Sequence, residues 1–99
     1  MTKEQLKKVL KIISESFGIS EKDLLSYKRT GRVSMARHTL YRSITHMGYN
    51  LSETGEILGR DHTTILHGLK VYRNLYSTDD IFKAKAVSIR EKIKELACE

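Results

Sequence analysis

Residues Gly59-Arg60-Asp61-His62-Thr63-Thr64-Ile65-Leu66-His67 decide how this chain is read. A glycine turn leads at once into an arginine, an aspartate, a histidine and two threonines. Ile65, Leu66, Leu69 and Tyr72 then recur at helical spacing. The polar cluster therefore falls at the N-terminus of a helix, where side chains and the first free backbone N–H groups project together. Each of its polar side chains can hydrogen-bond a base edge or a phosphate, as the leading end of a helix in a major groove requires. On spacing alone the string serves equally well as an ordinary helix start, with Asp61 as N-cap.

Working outward, Asn50-Leu51-Ser52 introduces a short helix over about residues 53–58, with Ser52 as cap and Ile57 and Leu58 as core contacts. Gly59 supplies a sharp turn, and the next helix runs over about residues 61–76. Two helices joined by a tight glycine turn, over about residues 52–76, make a helix-turn-helix. Upstream, Thr2 and Gln5 form a capping box, and Leu6, Val9, Leu10, Ile13 and Phe17 mark one helical face that Gly18 ends. Ser20-Glu21-Lys22-Asp23 caps a second, short helix that buries Leu24 or Leu25. Residues 26–33 have no periodicity and include Gly31, so they read as a loop. A third helix follows over about residues 34–47, with Ala36, Leu40, Ile44 and Met47 inward and Gly48 closing it. Downstream, Ser77-Thr78-Asp79-Asp80 caps a helix over about residues 78–97. Its stripe Phe82, Ala86, Ile89, Ile93 and Leu96 reads either as a partner surface or as a face packed on the core. Gly68, inside the second helix of this pair, costs about 1 kcal/mol relative to alanine and points to a neighbouring helix passing close. With no proline, no repeat and no convincing strand, the class is all-α, with about six helices in one domain spanning residues 1–99.

Charge distribution narrows the partner. The net charge is +6 over 99 residues. Residues 24–52 contain no acid at all but hold Lys28, Arg29, Arg32, Arg37 and Arg42, whereas the segments on either side are close to balanced. A solvated face interleaves both signs, so this stretch reads as a footprint for a polyanion, nucleic acid first. Five neutralised phosphates would give a log–log salt slope near −4 to −5. The stretch lacks the apolar face and aromatic anchors of a membrane-surface helix. Cys98 is the single cysteine, which rules out an intrachain disulfide, fits a reducing cytoplasm and reads as inert. There is no signal peptide and no apolar run of membrane-spanning length. Neither paired carboxylates, an activated nucleophile nor a G-x-x-x-x-G-K-[ST] phosphate loop is present, so an enzyme is the weakest class. His62 and His67, five apart, have the wrong spacing for a metal pair.

The string LGRDHTTILH resembles the GGRDHTTVLH signature in the C-terminal DNA-binding domain of the bacterial replication initiator DnaA. The resemblance extends over nearly the whole chain: an amphipathic helix ending in Asp23-Leu24-Leu25-Ser26, a basic loop, a helix, a helix-turn-helix and a closing helix come in the same order. It implies the all-α, Trp-repressor-like fold of that domain and sequence-specific binding of double-stranded DNA at DnaA-box-like sites, in replication initiation or its regulation. It implies no cofactor, metal or small-molecule substrate.

By this resemblance Asp61, His62 and Thr63 read bases in the major groove. The chemistry suits them: Asp61 can accept from a cytosine amino group, Thr63 can offer its methyl to thymine, and His62 donates or accepts by tautomer. Arg29, in the loop Tyr27-Lys28-Arg29-Thr30-Gly31-Arg32, matches the arginine that enters the minor groove, where negative potential is deepest. Thr64, His67, Arg60, Arg37 and His38 match or neighbour phosphate-binding positions, and Lys28 and Arg32 could hold phosphates generically. His67 could instead be a satisfied, partly buried histidine. The family commonly has a second glycine in the turn, a proline where Ala36 stands, glutamine where His38 stands, leucine-proline where Leu51-Ser52 stands, and alanine where Gly68 stands. These departures bear on base preference more than on binding mode. An ATPase domain does not fit in 99 residues. With its own Met1 and capped first helix, the chain reads as a free-standing cytoplasmic protein. It would compete with or recruit the host replication initiator or other replication proteins. A small transcription regulator and an adaptor using the C-terminal helix are the alternatives.

Overall fold

Six α-helices follow one another through residues 1–97, the part of the chain described by the computed structural model: α1 Lys3–Phe17, α2 Glu21–Leu24, α3 Gly31–His46, α4 Leu51–Leu58, α5 His62–Thr78 and α6 Asp80–Ala97. No strand occurs among the described residues, and Cys98 lies outside them. The fold is all-α, as the periodicities imply. Helix starts are set by local side-chain chemistry. Thr2 Oγ1 accepts from the Gln5 N–H and Gln5 Oε1 accepts from the Thr2 N–H, both at 3.1 Å, forming the expected capping box. Ser20 Oγ accepts from the Asp23 N–H at 3.0 Å, and of the two candidate leucines Leu24 is buried while Leu25 is exposed.

Helix α3 touches all five other helices. Its buried stripe starts at Val33 and runs through Ala36, Leu40 and Ile44. This corrects the loop read over residues 26–33. The helix begins at Gly31, and the connection from α2 is residues 25–30. Val33 belongs to the same face as Ala36 and Leu40, and its burial outweighs the modest cost of a glycine in the first turn. Val9, Ile13 and Phe17 of α1 and Leu24 of α2 meet Ala36, Leu40 and Ile44 in one core, together with Tyr72 of α5. The stripe on α6 is consumed in the same core: Phe82, Ala86, Ile89 and Ile93 are buried and Leu96 is partly so. Tyr72 and Phe82 meet edge-on at 5.5 Å, worth about 0.5–1.5 kcal/mol beyond area burial. The α6 stripe is therefore a packing face, and the adaptor alternative loses the surface it needed.

Two other boundaries differ from expectation. Asn50, rather than Ser52, caps α4. Its Oδ1 accepts from the Glu53 N–H at 2.8 Å, and Glu53 Oε1 returns the bond to the Asn50 N–H at 3.0 Å. Ser77 and Thr78 continue α5, their hydroxyls donating to the Asn74 carbonyl, and Asp79 alone caps α6 by accepting from Ile81 and Phe82 N–H.

Helix α5 is held by two close approaches. At the turn, Gly59 takes φ 66° and the Arg60 N–H donates to the Gly55 carbonyl at 2.8 Å. One left-handed residue closes the helix, so the turn needs no second glycine. The Arg60 carbonyl oxygen then lies 2.5 Å from where a Cβ on Gly55 would be, so only glycine fits at residue 55. Farther along α5, a Cβ on Gly68 would meet the Tyr41 ring at 2.5 Å and His38 at 2.9 Å. Close helix approach is therefore why glycine stands at 68. Gly55→Ala should lower stability by about 1–3 kcal/mol in urea unfolding, because the clash is with backbone. Gly31→Ala has nothing within 4 Å and an ordinary helical φ, so it should be neutral or stabilising by up to about 1 kcal/mol.

Candidate nucleic-acid interface

The turn between α4 and α5 brings three separate pieces of the chain to one groove of about 680 Å³. The residues 25–30 connection contributes Tyr27 and Arg29, α3 contributes Ser34, Arg37, His38 and Tyr41, and the start of α5 contributes Arg60, Asp61, Thr64 and His67. His62 and Thr63 are exposed on the first turn of α5, at the outer end of this surface.

Asp61 is the N-cap of α5. Its Oδ1 accepts from the Thr63 N–H at 3.1 Å and lies 3.2 Å from His62 Nδ1. Hydrogen bonds from the Thr63 backbone and hydroxyl, with the nearby His62, hold its carboxyl below the usual carboxylate range. Capping and outward display are compatible, since the side chain is exposed and a carboxylate has a second oxygen to offer. Thr64 and His67 are exposed along the same helix, so His67 is not the partly buried, satisfied histidine of the alternative reading.

The inner wall of the groove is polar and unsatisfied. Arg37 Nε and Nη2 and His38 Nδ1 are buried and have no hydrogen-bond partner. A guanidinium carries donors only, so the partners these Arg37 nitrogens can take are acceptors. Burial, then the nearby His67 and Arg37, pushes the His38 imidazole below its ordinary pKa. Burial likewise lowers that of Arg37, opposed by Tyr41 and assisted by Arg60.

The acid-free stretch is not one patch. Arg29 and Arg37 line the groove, but Lys28 is paired with Asp23 at 3.0 Å. Arg32, on the first turn of α3, lies in a different cleft with Asp79 and Lys85. Arg42 lines clefts between α3, α5 and α6 beside Arg90. Sequence position alone hides this, because Arg32, Arg37 and Arg42, five residues apart along α3, point to different sides of the helix. Arg60 is the reverse case: it belongs to a charge-balanced segment yet sits inside the groove.

Two residues essential to the geometry carried no assigned role in the sequence reading. Gly55 admits the Arg60 carbonyl, and its only sequence signal is a glycine four residues before the turn glycine, inside a helical pattern. Tyr27 lies under the Arg60 guanidinium, 4.0 Å from ring centroid to Cζ, while remaining 76% exposed. An exposed aromatic in a basic loop is the signal that could have found it. Among the described residues no group of three or more His, Cys, Asp or Glu is placed to hold a metal ion, and no helix is long and apolar enough to cross a membrane.

The helix-turn-helix family of the bacterial DnaA protein matches residues 6–71, which covers α1 to most of α5. The chromosomal replication initiator protein DnaA of Streptococcus mutans is 32% identical over 88 residues, covering 87% of this chain and 20% of that protein. Its counterpart in Rhodopseudomonas palustris is 30% identical over 93 residues, 92% of this chain and 20% of the relative. The Chloroflexus aggregans protein is 31% identical over 88 residues, covering 87% and 18%. The chain thus spans about a fifth of the length of these relatives. With the family match covering well over half of the chain, the chain belongs to the bacterial DnaA helix-turn-helix family.

Proposed function

We propose that the protein binds double-stranded DNA sequence-specifically, at sites of the DnaA-box kind, and that it acts in replication initiation or its regulation. The observation that carries this is the convergence on one groove of the α5 N-terminus, a basic loop and the unpartnered nitrogens of Arg37 and His38. Phosphate oxygens are acceptors of the required type and number for those nitrogens. In this reading Asp61, His62 and Thr63 meet base edges in the major groove. Arg29 enters the adjacent minor groove, and Arg37, His38, Thr64 and His67 hold the backbone between them. Lys28 and Arg32 stand at the periphery as long-range cations. The working site is the cytoplasmic nucleoid, and the partners beyond DNA are a replication initiator or other replication proteins at the same sites. A transcription regulator would use the same interface.

Thr63→Ala should cost about 1–3 kcal/mol on a selected site and little on random duplex, because a base-edge contact is lost. Arg37→Ala should weaken both about equally and reduce the salt slope by about one. The wild-type slope itself should be near −3 rather than −4 to −5, since about three cations face the groove. Fluorescence anisotropy over a salt series measures all of these, and equal losses on specific and random DNA in both variants would sink the role assignment.

Arg29 generates a separate expectation. A minor-groove arginine favours an A·T-rich flank, by width, potential and the absence of the guanine amino group. Converting that flank to G·C should weaken wild type, and Arg29→Ala should be nearly indifferent to the change. The coupling term of the four measurements is the test, and zero coupling removes the minor-groove role.

Proton linkage gives opposite signs for folding and binding at His38. Its folded pKa lies below the ordinary 6.5. Stability is therefore fully present above pH 6.5 and is lost as pH falls from there through the folded value. A phosphate beside the ring favours the imidazolium, so binding takes up a proton and tightens as pH falls through the same window. Titration calorimetry in two buffers of different ionisation enthalpy should show uptake that is reduced in His38→Gln, and uptake unchanged in that variant would exclude the contact.

A further inference from the structure

We propose that Arg60 is a positioning residue that clamps the basic loop to the helix-turn-helix, setting where Arg29 lies relative to α5. This rests on the docking mode proposed above. Arg60 Nη2 donates to the Leu25 carbonyl at 2.7 Å and to the Ser26 carbonyl at 3.2 Å, 35 and 34 residues away in the chain. The same guanidinium lies 4.0 Å over the Tyr27 ring. One side chain therefore holds three consecutive loop residues, two by their backbone and one by its aromatic face.

The anchor end is tied at two points. The Arg60 N–H is bonded to the Gly55 carbonyl at 2.8 Å, and the Arg60 carbonyl oxygen occupies the space that a Cβ on Gly55 would need. At the loop end Leu25 and Ser26 are also tied to α2, by the Leu25 N–H to Glu21 carbonyl and Ser26 N–H to Asp23 carbonyl bonds, both at 3.1 Å, and by Ser26 Oγ donating to the Asp23 carbonyl at 2.6 Å. Residues 27–30 are exposed, and besides the Arg60 stack on Tyr27 they have the Lys28 N–H to Ser26 Oγ bond at 3.2 Å, the Ser34 N–H to Thr30 carbonyl bond at 2.9 Å and the Lys28–Asp23 ion pair. An exposed ion pair contributes little. Arg29 follows two residues after the stacked tyrosine, so its reach into a groove beside α5 is set by the clamp.

Guanidinium chemistry is required. Its plane stacks on the tyrosine while its fork bonds carbonyls, and an ammonium offers only a point charge. A clamp and a plain phosphate contact therefore respond differently to lysine. A phosphate contact is largely rescued by Arg60→Lys, whereas a clamp is not.

Trypsin cleaves after Lys28 and Arg29, so the free protein reports the clamp without DNA. Arg60→Lys should raise native-state cleavage at those two bonds about tenfold, with the helical circular dichroism unchanged. Tyr27→Ala should raise it by a smaller factor. On DNA, Arg60→Lys should lose most of the preference for an A·T flank while keeping discrimination at the positions read by α5. Adding Arg29→Ala to it should change flank preference no further. Unaltered loop cleavage in Arg60→Lys overturns the proposal. So does retention by that variant of a flank preference that wild type displays. If wild type displays no flank preference while cleavage rises as expected, the clamp stands and the minor-groove role of Arg29 falls.

Discussion

The packing of α5 against α3 at Gly68 is the constraint on which the rest of the molecule depends. The Tyr41 ring occupies the space that a side chain at residue 68 would take, and Tyr41 is itself 2% exposed. That contact fixes the distance between the helix carrying Arg37 and His38 and the helix carrying Asp61 to His67. A groove lined from both sides needs this distance to be single-valued, because hydrogen bonds fade within a few tenths of an ångström. Glycine in mid-helix costs about 1 kcal/mol in propensity, and the close packing it allows offsets that.

A second constraint acts at the start of α5. Gly59 reverses the chain with a left-handed φ, and Gly55 admits the Arg60 carbonyl. Together they aim the first turn of α5 outward, with Asp61 capping it. The free N–H groups and positive end of the helix dipole then face the same way as His62 and Thr63. The buried α6 stripe has a quieter role. By filling the far side of the core, it leaves the α3–α5 edge free to bear polar groups.

Electrostatics at the groove depends more on arrangement than on the total charge of +6. Two of the five cations in the acid-free stretch line the groove, one is paired with Asp23, and two lie in other clefts. Arg60, from a charge-balanced segment, completes the set. Arg37 and His38 are half-buried, with Arg37 Nε and Nη2 and His38 Nδ1 out of contact with solvent. An anion meeting them there would be screened less than at an open surface.

The sequence by itself determined the helical class, the capping box at Thr2, the left-handed stop at Gly18, the turn at Gly59 and the N-cap at Asp61. Each of these is set by residues within about four positions of one another, through hydrogen bonds and backbone preferences that do not need the rest of the chain. Where local signals competed, burial decided. Val33 drew the start of α3 back to Gly31, Leu24 rather than Leu25 entered the core, and the α6 stripe became packing. The close helix approach at Gly68 was legible as a glycine inside a helical pattern, but tertiary structure alone decided which cations share a groove, why residue 55 must be glycine, and that Arg60 reaches back to Leu25, Ser26 and Tyr27. The reason is that these depend on distances between segments far apart in the chain. Such distances are fixed by side-chain volume at helix crossings, which no local pattern encodes.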